Sequence, residues 1–397
     1  MSFQSPDPQL PVELGRLFRS EYGGGAPRVF FAPGRVNLIG AHLDYSGGDV
    51  MPLAVDRGIY VAARMRDDGV LRLASRDLPL RVATRCDALG DKADPAHGWA
   101  GFPLGVVRCL LDRLDRPLGA DLYFAGNLPM ASGLSSSAAI EVATAVAFDR
   151  CLELGIPSKE IALLAHRAEN EYVGVKCGIM DQFASALGRD GHALLLHCRT
   201  QRYEHVPLDR ERFEVLVMDT KKPRPLAKTG FNERVHECAD ALATLRSRLR
   251  SEPCLAEYRV EDLPAIQRVL DTRHFLRVRH VVTEMQRVRE AVHCLRTHEI
   301  PGFGRRLDAS HESTRVDYEV SCEELDVITA AARSCPGVFG ARLVGAGFGG
   351  CAIALVTPGT AEQVTEQVAR KFSAHFGVTP GFSVLHAGPG PREFPVG

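Results

Sequence analysis

Along the chain, apolar positions alternate in two registers, and the register switches mark out the elements. A helical period runs from Pro11 to Tyr22, and "PRVFFAPG" then reads as a strand that breaks at Pro33-Gly34. "GIYVAARMRDDGVLRLASRDLPLRVAT" alternates with period two on both sides of Asp68-Gly69, the signal of a hairpin. "GADLYFAGNLP" is a further strand, followed by a Gly/Ser loop. The apolar stretch "SSSAAIEVATAVAFDRCLELG" has helical spacing and stops at Gly155; Ser158 then caps a second helix through "KEIALLAHRAENEYVG". "HALLLHC" and "FEVLVMDT" are strands.

From Asn232 the period becomes helical in "NERVHECADALATLRSRL", "FLRVRHVVTEMQRVREAVHCL" and "CEELDVITAAARS". Between them, "PGFGRRLDASHEST" reads as a loop leading into another helix, on its Pro and Gly content. The chain closes as strand "CAIALV", helix "TAEQVTEQVARKFSAHFG" and strand "FSVLHA". The mixture is α+β. At 397 residues two domains are expected, here 1–205 and 206–397.

Charge narrows the partners. With 48 Lys+Arg against 49 Asp+Glu, the chain carries no strong field to hold nucleic acid or an anionic membrane, so a small molecule is the expected partner. Eleven cysteines are scattered from Cys86 to Cys351 without a CxxC spacing, which argues against a zinc cluster or a disulfide scaffold. The polar start and the absence of an apolar run of 18 or more residues predict a cytoplasmic, membrane-free protein.

Three segments carry candidate chemistry. "NLPMASGLSSSAA" places Gly133 and three serine hydroxyls, Ser135 to Ser137, at the start of a helix, whose free N–H groups and positive dipole end favour an anion such as phosphate. No Lys follows, so this is not a GxxxxGK[ST] loop. Glu169 and Asp181, twelve residues apart in "RAENEYVGVKCGIMDQF", suit metal binding and activation of a hydroxyl. "RLVGAGFGGCAIALV" adds a glycine cluster at Gly345, Gly347, Gly349 and Gly350.

"GRVNLIGAHLDY", "CGIMDQF", "GLSSSAA", "SHESTRVDYEVSCEELD" and "GAGFGGC" together resemble the galactokinase branch of the GHMP small-molecule kinases. The resemblance implies a two-domain fold with the active site in the cleft between the domains, taking a sugar, ATP and Mg2+. Asp181 would face the anomeric hydroxyl with Arg35 beside the transferring phosphoryl. Ser137 and Glu169 match magnesium ligands; Ala131, Ser132, Gly133, Leu134, Ser135, Ser136 and Ser137 match the triphosphate loop. His42, Asp44 and Gly178 match sugar contacts, and Trp99 falls where the family keeps an aromatic near adenine. A monomer is expected.

The chain departs from the family pattern twice: Ala41 stands where a Glu is usual, and Phe231 where a Tyr is usual. Each lost sugar contact costs roughly 0.5–1.5 kcal/mol, more for a charged one. Removing a carboxylate also removes repulsion against an acidic sugar, so galacturonate, or another C6-modified galactose, is the alternative substrate to galactose. Lys221, Lys222, Arg224 and Lys228 are candidate cations for it. The alternative of another class is a non-catalytic sugar sensor built on the same fold.

Overall fold

The computed structural model describes residues 9–114, 116–128, 133–223 and 227–395, without the side chains of 227 and 228. Its architecture is α+β, built on two sheets. The first holds β1 (Arg28–Ile39), β2 (Asp49–Arg66), β3 (Val70–Ser75), β4 (Val82–Arg85) and β5 (Gly119–Gly126), with β6 (His192–His197) and β7 (Arg202–Pro207) attached through β2. The second holds β8 (Glu214–Asp219), β9 (Val338–Leu343), β10 (Cys351–Val356) and β11 (Gly381–Leu385) in the order β11-β8-β10-β9, all antiparallel. The last strand, β12 (Arg392–Phe394), returns to pair with β1 in the first sheet.

Helix α1 (Leu10–Tyr22) packs Leu10, Leu14 and Phe18 on one face of the first sheet. The opposite face is covered by α2 (Gly101–Leu111), α3 (Ser136–Leu152), α4 (Ser158–Arg167) and α5 (Met180–Ala186). Then come α6 (Ala227–Arg248), α7 (Leu263–Val269), α8 (Thr272–Arg296), α9 (Ile300–Val316), α10 (Glu323–Arg333) and α11 (Ala361–Phe376). Of these, α10 and α11 close a separate core against the second sheet through Leu325, Ile328, Val364 and Phe372. No described helix is long and apolar enough to cross a membrane.

Several local expectations change. The strand expected to break at Pro33-Gly34 continues to Ile39 through a shift in register between Pro33 and Arg35. Proline cannot donate to the ladder, so the strand bulges there. The shift turns the Arg35 N–H to the Leu134 carbonyl at 3.0 Å. Gly34 allows that approach, since a Cβ there would lie 2.6 Å from the same oxygen.

The expected hairpin at Asp68-Gly69 does not form, because β5 lies between β2 and β3, antiparallel to one and parallel to the other. Gly119 starts β5 beneath the turn, where a Cβ would meet the Arg66 carbonyl at 2.9 Å. The stretch 301–314 is helix, not loop. Pro301 sits in its first turn, where a missing N–H costs nothing, and Gly304 lets α9 lie directly on β9. The helix after the Gly/Ser loop ends at Leu152 with Glu153 in the left-handed region, short of Gly155, and Ser158 makes no capping hydrogen bond.

Candidate active site

Residues far apart in sequence meet at one cavity of about 150 Å³ between elements of the two sheets. β1 supplies Arg35 and Asn37, the turn after it Ala41, His42 and Asp44, the approach to α5 Cys177 and Gly178, and the first turn of α5 Met180 and Asp181. Phe231 on α6, Arg342 on β9, and Gly345 and Ala346 close it from the other side. All seven sequence-expected catalytic and sugar-contact positions therefore line one space: Arg35, Ala41, His42, Asp44, Gly178, Asp181 and Phe231.

At one wall, Arg35 grips Asp181 with two parallel hydrogen bonds, Nε to Oδ1 and Nη2 to Oδ2, each 2.6 Å. Its Nη1 donates to the Gly133 carbonyl at 2.7 Å. The Ser135 hydroxyl also donates to Asp181 Oδ2. Ser135 takes the left-handed conformation (φ 57°) just before α3 and caps nothing, so its side chain is free for the carboxylate. A planar guanidinium forking onto a carboxylate is the strong, orienting form of ion pair. Asp181 is held in one rotamer while remaining 23% exposed to the cavity.

Asp44 lies beside this pair, and Gly178 is what admits it: a Cβ at 178 would fall 2.1 Å from Asp44 Oδ2. Burial, then the charge of Asp181, push Asp44 up to about 6.

Behind Asp181 sits a second group of acids. Glu169 lies in a widened helical turn, Ala168–Val173, and accepts from Gln182 Nε2 at 2.5 Å. Burial and Asp181 raise it to about 7, against hydrogen bonds from Ser137, Cys177 and Gln182. Glu141, fully buried on α3, is pushed well above the usual carboxylate range by burial and by Glu169. Glu141 Oε1 and Gln182 Oε1 are buried without partners. Crowded acids with unsatisfied oxygens suit a hard divalent cation. No group of three or more His, Cys, Asp or Glu among the described residues forms a ready-made metal cage.

At the opposite wall, His42 (φ 57°) hydrogen-bonds Tyr45 Oη through Nδ1 at 2.9 Å, and Tyr45 in turn meets Tyr318 Oη at 2.7 Å. Burial first, then neighbouring cations, hold His42 neutral down to about pH 3. The Phe231 ring packs on His42 and Tyr45 with centroids 5.9 and 5.2 Å apart. The backbone of this turn is clamped by α8: Glu284 Oε1 accepts from the N–H groups of Gly40 and Ala41 at 3.0 Å each. His280 Nε2 donates to the Ala41 carbonyl, also at 3.0 Å.

Three cavity residues carry buried polar atoms with no partner: Asn37 Oδ1, His42 Nε2 and Arg342 Nε. Buried polar groups are nearly always satisfied, so three around one void mark a place for a polar ligand.

The chain is similar to known proteins over most of its length. The galactokinase galactose-binding signature matches residues 16–65, the GHMP kinases N terminal domain 102–189 and the GHMP kinases C terminal domain 291–374. A galactokinase of Clostridium tetani is 39% identical over 383 residues, covering 96% of this chain and 97% of that one. The chain belongs to the galactokinase family of GHMP kinases. A galactokinase of Streptococcus thermophilus is 38% identical over 384 residues, covering 96% and 98% of the two chains. The Lactococcus lactis galactokinase structure, complexed with galactose, superposes with a TM-score of 0.92 at 35% identity, covering 96% of this chain and 99% of that one. Mevalonate kinase of Methanococcus jannaschii, at 19% identity and a TM-score of 0.68 over 92% and 99% of the two chains, shares the fold. The chain is thus a kinase of the phosphotransferase class.

Other sequence expectations land elsewhere. Ala131 and Ser132 lie outside the described residues, as do Arg224 and the Lys228 side chain. Trp99, expected near adenine and not at the sugar positions, is half-buried, donates to the Leu80 carbonyl at 3.3 Å and packs edge-on to Phe124. Lys221 and Lys222 are engaged by Asp219 and Glu324, at 2.7 and 2.6 Å. Besides Arg35, the cation that lines the cavity is Arg342. Sequence reasoning passed over it, although an Arg inside the strand leading into "GAGFGG" was a visible anomaly.

Proposed function

We propose that this galactokinase-family protein transfers the γ-phosphoryl group of ATP to the anomeric hydroxyl of galactose or a close analogue. What carries the reading is the Asp181 carboxylate, fixed by Arg35 and Ser135 on the wall of a cavity edged by unpartnered polar atoms.

In this reaction the anomeric oxygen bonds to the γ-phosphorus as the bridging P–O bond to the β-phosphate breaks, releasing ADP. Asp181 holds the hydroxyl in line and accepts its proton. Arg35, already oriented, stabilises negative charge on the phosphoryl oxygens without reorganising. The exposed start of α3 at Ser136 and Ser137 offers N–H groups to the triphosphate. Ser137 and Glu169 would hold magnesium, which supplies charge neutralisation at the β- and γ-oxygens when bound. His42 Nε2, Asn37 Oδ1 and Asp44 hold the sugar hydroxyls. Ala41 and Phe231 leave part of the cavity without the polar side chains expected of a strict galactose site, which supports a C6-modified sugar such as galacturonate as the second reading.

Proton-coupled 31P NMR of the product tests the reaction. A phosphorus coupled to the anomeric proton, with one ADP formed per sugar consumed, is the expected result, and excludes a purely sugar-binding role. Phosphate on any other hydroxyl, or no ATP consumption with any hexose, would refute the proposal.

A further inference from the structure

The turn that brings Ala41, His42 and Asp44 to the cavity has a backbone it would not keep unaided. Gly40 (φ 94°) and His42 (φ 57°) both lie at positive φ, a region costly for a residue with a side chain. A Cβ at Gly40 would stand 2.7 Å from the Asp49 carbonyl, so glycine is needed for the chain to double back. His42, in its strained conformation, lines the cavity with Nε2 buried and unpartnered. Such a conformation persists only where the surroundings over-determine it.

Side chains from outside the turn do so. Glu284 Oε1 accepts from the N–H groups of Gly40 and Ala41, at 3.0 Å each. His280, one helical turn earlier on the same face of α8, donates from Nε2 to the Ala41 carbonyl at 3.0 Å. These bonds fall on three successive peptide planes: 39–40 and 40–41 through their N–H groups, and 41–42 through its carbonyl. Because each plane is rigid, the dihedrals at Gly40 and Ala41 cannot change without breaking a bond, and His42 starts from a fixed plane. Arg342 Nη1, from β9, holds the Leu38 carbonyl just before the turn at 3.0 Å.

Glu284 is the centre of this arrangement. It is fully buried, and Oε1 accepts a third hydrogen bond, from Ser310 Oγ of α9 at 2.6 Å. Oε2 pairs with Arg287 at 2.6 Å. Burial opposes its charge, but Arg287 first, then His280 and Arg342, hold it down at about 2. A buried carboxylate must have its oxygens filled. Here two of the groups that fill them are amides of the sugar turn.

Resting on the kinase reading above, we infer that Glu284 is a positioning residue for sugar binding. Acting through the Gly40 and Ala41 amides and not by touching substrate, it keeps the turn in its binding conformation before the sugar arrives.

The test is steady-state kinetics with D-galactose and MgATP, paired with calorimetric titration of D-galactose. Glu284→Gln keeps the side chain's length but places an NH2 against a donor, either the two amides or Arg287. It should raise the D-galactose KM and dissociation constant together, by about fivefold or more, with kcat and the ATP KM within about threefold of wild type. Glu284→Met, with no acceptor, should raise both by about twentyfold or more. A merely structural role would shrink the folded fraction, which lowers kcat and leaves KM and affinity unmoved; that result, or a sugar KM unchanged in both variants, overturns the inference. Amide hydrogen exchange of the wild type needs no variant to fold. Without sugar, the Gly40 and Ala41 amides should exchange about a thousandfold or more slower than in an unstructured peptide, and D-galactose should add little protection. Fast exchange that slows only when the sugar is added overturns the inference. If D-galactose binds but is not phosphorylated, the kinase reading fails, while affinity and exchange still decide the role of Glu284.

Discussion

Two carboxyls of the site are held in an unusual state by the residues around them. Glu169 is raised to about 7 and Asp44 to about 6, in both cases by burial first and by Asp181 second. A carboxyl whose folded pKa lies above its unfolded value binds more protons in the native state, so stability falls as pH rises between the two values. For Glu169 that window runs from about 4.5 to about 7. In the absence of divalent cation, the wild-type Tm should therefore fall between pH 5 and pH 8. Glu169→Gln, which cannot ionise, should be the more stable protein at pH 8 by about 2–5 °C, and close to wild type at pH 5. Asp44 and Glu141 still titrate in the variant, so some slope remains. Differential scanning calorimetry at the two pH values checks this, and a variant less stable than wild type at pH 8 would show that Glu169 is not strained by its burial.

At the scale of elements, hydrophobic period located the strands and helices well wherever one face alone is buried, as in α1 and α11. It failed where glycine and proline serve contact rather than turning. The segment from Pro301 looks like a loop because its Gly and Pro are read as breakers. In the structure Gly304 is a packing residue: a Cβ there would lie 2.0 Å from the Phe339 carbonyl, and Gly340 faces it from β9 with the same closeness. Gly304→Ala should therefore destabilise the fold by about 1–3 kcal/mol, despite the better helix propensity of alanine. Urea denaturation of the two proteins measures it; an unchanged or raised midpoint would mean that α9 does not rest on β9 this closely. The hairpin misjudged at Asp68-Gly69 has the same root. Local alternation cannot reveal that a strand fifty residues later will slip between its two arms.

At the scale of the whole molecule, the site was legible because its residues cluster in three short segments whose chemistry is explicit: Arg35 to Asp44, Gly133 to Ser137, and Glu169 to Asp181. Their convergence was not legible, because it depends on β1 bulging at Pro33, on Gly34 admitting the loop before α3, and on Glu284 reaching back from α8 to the turn at Gly40. Arg342 escaped notice for a related reason, since its place on the cavity wall with an unpartnered Nε shows only in the assembled fold. The account as a whole stands on the Arg35–Asp181–Ser135 constellation. Its most direct test is Asp181→Asn, assayed for turnover with MgATP and for sugar binding by calorimetry. Turnover reduced at least a thousandfold, with sugar affinity within a few-fold of wild type, is the predicted result; near-wild-type turnover would contradict it.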